Sequence, residues 1–524
     1  MDYLQSFKKF DFDDKLGFFL YVLSILILLI FIFTAINQSI WIDEVYSLNI
    51  VKNSFSVMID TTAGDVHPPL YYAILKSVLK LFSVLGISFS EIIVGKFVSL
   101  IPLILLLIFS TIKLRRELGW LVTGIFSIAI VTMPQMMAYG IEIRMYSWAM
   151  FFVTMSFFYA YTITKYNIDS NNTKKLNKKR LLNWGLLTIF AVLGAYTHYF
   201  VVISIAVVYF MLLVWLFFKN KKEIKFYLIS VIMCILLYLP WIFIVIDQFT
   251  RFGGTLWWIP PITLERILNQ VMYIVAPSDG IIYSILGAVL FVSILLFLIY
   301  YFVKNRSSEN IFLYFGVLVF VGTLLIIVIE SLLVKPSLVS RYLIPSLGCF
   351  WLGFSIILSQ IRITHSKIFY ALLIIFLIIG GVNAESFISS QHQKEISHNE
   401  YISILGDISK KDLIIHNNFF TQQLTGRYFF KNSININFDN NILERYNKGV
   451  LVKEEVNTTE KIEKYLDNNK TVWLFYDERE DTLDELNIAL SENGFGMEEV
   501  LDLTNSSASY PNIVFKIYKI NILS

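Results

Sequence analysis

The chain alternates long apolar blocks with short charged loops. The first block, 17–36 (GFFLYVLSILILLIFIFTAI), exceeds the ~18 apolar residues that mark a membrane-crossing helix. It is too long for a signal-peptide core and no small-residue cleavage site follows, so it reads as a retained first span. Further blocks lie at 95–112, 119–134, 146–164, 183–197, 200–218, 226–246, 281–303, 311–333, 343–360 and 367–384, for about 11 spans. One apolar stretch has another pattern. In PLYYAILKSVLKLF, Lys76 and Lys80 share one face with Ser77 alongside, while Leu75, Val78, Leu79 and Phe82 share another. This predicts an amphipathic helix lying on the membrane over 68–86. Pro68 and Pro69 suit its first turn, where a missing N–H costs nothing. Tyr71 and Tyr72 are expected at the interface.

The alternative is a span with two snorkelling lysines, and loop charge decides against it. Lys and Arg collect on the cytoplasmic side. The basic loops are Lys8, Lys9 and Lys15; Lys113, Arg115 and Arg116; Lys165, Lys174, Lys175, Lys178, Lys179 and Arg180; Lys219, Lys221, Lys222 and Lys225; Lys304 and Arg306; Arg362 and Lys367. If 68–86 crossed, every basic loop after the first would fall outside. If it does not cross, all fall inside, the N-terminus is cytoplasmic, and the residues after the last span are extracytoplasmic.

Composition supports a polytopic membrane protein. The 524 residues are 56% hydrophobic and 16% charged, against roughly 25% charged in soluble domains. The net charge of +3 hides an asymmetry. From Glu385 onward there are 22 acids and 14 bases, a net of −8, which leaves +11 for the rest. That is not a nucleic-acid-binding profile. Cys234 and Cys349 lie inside apolar blocks, so no disulfide framework is expected. The expected domains are 1–384, in the membrane, and 385–524, outside it. In the second, strand-like runs at 412–417, 471–477, 496–504 and 512–520 alternate with the helical patterns TTEKIEKYLDNN and EDTLDELNIALSENG. This predicts an α/β domain. It carries no G-x-G-x-x-G or P-loop pattern.

The unusual chemistry gathers in the loops assigned to the outer side. The first has WIDEVYSL, with Asp43 and Glu44, and DVHPPLYY, with Asp65, His67 and Tyr71. The next has GIEIRMYSW, with Glu142, Arg144 and Tyr146; then come YTHYF, with His198 and Tyr199, TRFGGTLWWIPP, and KPSLVSRYLIP, with Lys335, Arg341 and Tyr342. Ionisable groups at membrane depth are functional by default. Taken singly, each has a structural reading too. Asp43 and Glu44 read as a catalytic pair or as helix-start acids. His67 and His198 read as ligand contacts or as a plain loop histidine and a packed one, and Trp257–Trp258 fits an interfacial aromatic belt. The joint occurrence on one side carries the functional reading.

Together these residues resemble a known family. The acidic pair after the first span, D-x-HPPLYY, E-x-R-x-Y, H-Y at a hairpin, YLPW (Tyr238 to Trp241) and S-RYL-x-P are similar to the C superfamily of membrane glycosyltransferases. The nearest branch is that of the dolichyl-phosphate-mannose-protein mannosyltransferases, related to lipid A aminoarabinose transferases. The likeness covers roughly 15–385. It implies transfer of a sugar, with inversion, from a polyprenyl-phosphate donor to an acceptor hydroxyl on a protein, polymer or glycolipid, outside the cytoplasm. It also implies that Asp43 is the base, with Glu44 beside it. Two positions depart from the pattern: His67 stands where aminoarabinose transferases tend to have lysine, and Lys96 where relatives often have arginine. The two bases are not equivalent phosphate ligands.

The chemistry needs positive charge for the leaving phosphate. Arg144 and Arg341 rank first because guanidinium pairs bidentately with phosphate, followed by Lys96 and His198. No cofactor is certain; a divalent metal, if used, is expected on Asp65 and His67. The rival function is a carrier or flippase for lipid-linked saccharides. Transporters tend to show internal repeats, and none is visible here.

Overall fold

The computed structural model describes residues 11–36, 38, 40–165, 173–252, 259–277, 280–304, 311–404, 412–417, 434–437, 458–477, 483–502 and 515–523. They form two compact units. One comprises Met1–Ile36 and Asp65–Ile388, the other Asn37–Gly64 and Ser389–Ser524. The helices are α1 (Phe12–Ala35), α2 (Ile42–Lys52), α3 (Phe55–Gly64), α4 (Leu70–Val84), α5 (Glu91–Phe109), α6 (Arg115–Thr132), α7 (Met136–Ile141), α8 (Tyr146–Thr164), α9 (Thr173–Ala195) and α10 (Tyr199–Lys219). They continue with α11 (Ile224–Phe252), α12 (Leu264–Val275), α13 (Ile281–Lys304), α14 (Ile311–Tyr314), α15 (Gly316–Leu333), α16 (Ile344–Thr364) and α17 (Ser366–Ile404). After these come β1 (Leu413–His416), β2 (Ile434–Asn437), α18 (Thr458–Asp467), β3 (Val472–Asp477), α19 (Leu483–Glu492), β4 (Phe495–Asp502) and β5 (Phe515–Ile522).

Each apolar block read as a span is helical. Among the described residues, 8 helical stretches are long and apolar enough to cross a membrane. One of them, Glu91–Thr132, contains two of the sequence blocks. It is a hairpin: Gly119 leaves helical geometry at φ 84°, and Ser110 and Ser127 hydroxyls meet at 2.9 Å. A straight helix would hold residues 17 apart at about 25 Å. The remaining two blocks, in α8 and α9, are helical but fall outside those 8 stretches. The chain is an integral membrane protein.

The stretch after the first span does not cross. Lys96, near the start of α5, donates from Nζ to the Ala35 carbonyl at the end of α1, at 3.0 Å. The chain therefore leaves α1 and enters α5 at one end of the first unit. Within it, α4 has 15 residues, about 22 Å, too short for a hydrocarbon core of about 30 Å. Pro69 is its N-cap, and Gly86, at φ 67°, follows its end. The Leu70 N–H donates to the Tyr196 carbonyl at 3.0 Å, tying the double proline to the α9–α10 turn. The expectation for the tyrosines needs correcting. Tyr71 and Tyr72 are fully buried, and it is Leu81, Val84 and Leu85 that are exposed.

At the other end of the first unit the basic residues meet acids. Lys165 pairs with Glu117 at 2.7 Å and Arg362 with Asp13 at 2.8 Å. Helices α1 and α6 approach closely there, since a Cβ on Gly124 would overlap the Gly17 carbonyl and one on Gly17 the Trp120 carbonyl. Small residues permit such approach between membrane helices.

The C-terminal residues build a mixed sheet of order β2-β1-β3-β5-β4. The pairs β1–β2 and β1–β3 are parallel, and β3–β5 and β4–β5 are antiparallel. Every residue of β3 is buried, as a central strand requires. Leu413, Ile415, Leu474, Ile462, Leu486 and Tyr518 share the core. This is the α/β arrangement that the alternation predicts, with β2 added at the edge.

Candidate active site

The α7 helix stops at Ile141, and four residues pass before α8 begins at Tyr146. In this break the Arg144 N–H donates to the Glu142 carbonyl at 2.6 Å. The Arg144 side chain is only 3% exposed. Its Nη1 donates to the Tyr72 hydroxyl at 3.4 Å and its Nη2 to His67 Nε2 at 3.1 Å. His67 Nδ1 lies 2.8 Å from Asp65 Oδ2. A guanidinium can only donate, so Nε2 of His67 accepts and its ring proton sits on Nδ1, pointing at Asp65. Burial pushes the Asp65 carboxyl up. The hydrogen bond from His67, the Val66 N–H and the Arg144 charge outweigh it and leave the group below its ordinary range.

His198 lies at the tip of the α9–α10 turn. Its Nδ1 accepts the Phe200 N–H at 3.2 Å and so caps α10, leaving the ring proton on Nε2. Burial, reinforced by the positive charge of Arg144 and Arg341, holds it well below the usual histidine range. The ring sits 5.6 Å from Tyr146, 5.6 Å from Tyr342 and 6.4 Å from His67. Tyr342, in the 3₁₀ turn Ser340–Leu343, stacks on Phe200 at 4.2 Å. Arg341 precedes it and acts on His198 and Tyr273.

Beyond Tyr146, the Tyr139 and Tyr273 hydroxyls meet at 2.9 Å, and Gln135 donates to the Tyr273 carbonyl at 3.2 Å. Tyr273 is pushed up to about 12, by burial first and then by Glu142. Tyr199 donates to Gln248 Oε1 at 2.5 Å and accepts from Trp241 Nε1 at 3.0 Å, which gives the YLPW tryptophan a place. Tyr71 pairs instead with Ser99, at 2.9 Å.

Of the residues singled out from sequence, Asp65, His67, Arg144, Tyr146, His198 and Tyr342 form one connected cluster, with Glu142 and Arg341 acting on it electrostatically. Lys96 donates to the Ala35 carbonyl. Asp43 and Glu44 belong to the second unit, in the first turn of α2. There Glu44 accepts the Trp41 N–H at 3.0 Å, the helix-start role, while Asp43 is partly exposed. The Trp257–Trp258 pair lies outside the described residues. Tyr139, Gln135 and Tyr273 were not read from sequence, and Tyr72 was read as an interfacial residue and not as a partner of Arg144.

Among the described residues no group of three or more His, Cys, Asp or Glu side chains converges as a metal site. Asp65 and His67 do not make one alone. Both ring nitrogens are engaged, and one faces a guanidinium that would repel a cation.

The fold is shared with solved structures of one membrane protein. In particular, the chain is similar to ArnT from Cupriavidus metallidurans in the apo state, with a TM-score of 0.59 and 11% identity over 95% of this chain and 97% of that one. It is equally similar to the same protein bound to undecaprenyl phosphate, with a TM-score of 0.59 and 10% identity over 95% and 97%. No protein-family model matches the sequence, and no curated protein matches it.

Proposed function

We infer that this chain transfers a sugar, with inversion, from a polyprenyl-phosphate donor to an acceptor hydroxyl on the outer face of a membrane. One observation carries the reading: a guanidinium, two histidines, a carboxylate and a ring of tyrosines are linked at one end of a helical unit. The fold is shared with a protein whose structure holds undecaprenyl phosphate. The leaving group is a phosphate, and Arg144 and Arg341 are assigned to its developing charge. The buried guanidinium of Arg144 does so without reorganising as charge appears. The tyrosine hydroxyls suit sugar hydroxyls. Asp43 is assigned as the base for the acceptor, from its place in the acidic pair after the first span. Direct displacement needs one base and no covalent enzyme intermediate. The polyprenyl chain stays in the bilayer, and the acceptor belongs to a protein, a polymer or a glycolipid. The N-terminus is assigned to the cytoplasm and residues 385–524 to the outside.

The test is reconstitution of the full chain in nanodiscs with synthetic radiolabelled polyprenyl-phosphate sugars and cell-envelope fractions. Wild type should move label to an acceptor. Asp43→Asn should abolish transfer while keeping the wild-type melting transition. Wild-type turnover by Asp43→Asn removes it as base. In sealed vesicles, flux of the intact lipid-linked sugar without transfer would replace the enzyme with a carrier.

A further inference from the structure

The geometry points to Asp65 and His67 as positioning residues that aim the Arg144 guanidinium, rather than as groups that touch the substrate. This rests on Arg144 meeting the donor phosphate. The three side chains form one directed chain: His67 Nδ1–H donates to Asp65 at 2.8 Å, and His67 Nε2 accepts from Arg144 Nη2 at 3.1 Å. An acid holding the Nδ1–H of a histidine also describes a general base, with Nε2 presenting its lone pair. That use is blocked here, because the lone pair already receives an arginine N–H. A proton on Nε2 would set two donors and two positive charges against each other at 3.1 Å. The pair's remaining capacity is to fix where the guanidinium sits.

The surroundings fit this role. Arg144 leaves a non-helical break between α7 and α8, so helix geometry does not fix its direction. Two acceptors do: His67 on Nη2 and the Tyr72 hydroxyl on Nη1. Both come from one stretch, the double proline and the first turn of α4. That stretch is itself anchored by the Leu70 N–H on the Tyr196 carbonyl. A lysine at position 67 would bring a charge to this place. The histidine brings a neutral acceptor, and the charge comes from Arg144 on another helix junction. Acceptors on both terminal nitrogens fix the plane of the guanidinium, and its orientation decides how it meets an oxyanion.

A double-mutant cycle tests this with undecaprenyl phosphate as the probe, binding to the full chain in nanodiscs, and with melting temperature followed in parallel. His67→Leu removes the acceptor. His67→Gln keeps one, since an amide oxygen can accept from Arg144 while its NH₂ donates to Asp65. Expected are about tenfold weaker binding for His67→Leu, ~1.4 kcal/mol, and recovery of most of it by His67→Gln. In an Arg144→Ala background, His67→Leu should add nothing. If it weakens binding equally with and without Arg144, or if Gln is as poor as Leu, the positioning role is overturned and His67 acts on the ligand itself. If Arg144→Ala binds like wild type, the phosphate assignment of Arg144 falls, and the positioning role with it.

Discussion

His198 shows how one side chain serves structure and electrostatics together. It caps α10 through Nδ1, and it stays neutral among His67, Arg144 and Arg341. Its folded value lies below its ordinary 6.5. An unfolded chain therefore takes up a proton below that pH which the folded chain refuses, and stability falls as pH drops from about 6.5. A single group contributes at most about 1.4 kcal/mol per pH unit. Asp65 acts in a lower window, because its folded value lies below 3.8. Its contribution is complete above that value and is lost only as pH falls through the lowered one. Between about pH 6.5 and 4, His198 dominates of the two. His198→Asn removes the titration and keeps a favoured N-cap. Melting curves in detergent should show wild type losing stability from pH 7 to 5 and His198→Asn losing much less. Parallel losses in both proteins would remove His198 as the cause.

At the scale of elements, what repeats locally was legible and what meets across the chain was not. The spans, the surface helix α4 and most of the terminal strands follow from apolar periodicity and loop charge. The edge strand β2 (ININ) was missed because alternating asparagine is a weak strand former. The polar cluster was legible as a list of loops, but not as pairs. Tyr139 and Tyr273 are 134 residues apart, and nothing in either segment names the other. Tyr71 looked equivalent to Tyr72 until burial turned one to Ser99 and the other to Arg144. The same holds for Gly17 and Gly124, ordinary glycines in apolar runs that set how closely α1 and α6 approach. Gly124→Leu forces a side chain into backbone and should cost about 1–3 kcal/mol, lowering the melting temperature. Gly185→Ala is the control: its Cβ meets nothing within 4 Å, and a helical Gly→Ala change gains about 0.5–1 kcal/mol. Equal effects from both would show that the α1–α6 approach is not tight.

For the whole molecule, the charge asymmetry and the chain path make one argument about orientation. The polar cluster lies at the end of the first unit where α1 stops and α5 starts, and the basic residues Lys165 and Arg362 lie at the other end with Glu117 and Asp13. Positive charge marks the cytoplasmic side, so the cluster end is expected outside, along with the acidic residues after Glu385. Both native cysteines are free, Cys349 buried and Cys234 partly so, and serine at each gives a background for labelling. Glu492 and Lys178 are exposed and represent the two sides. In right-side-out vesicles, a membrane-impermeant maleimide should label Glu492→Cys directly and Lys178→Cys only after permeabilisation. The reverse pattern would put the arginine-bearing end in the cytoplasm. The proposed outer-face transfer would then fail at its first requirement.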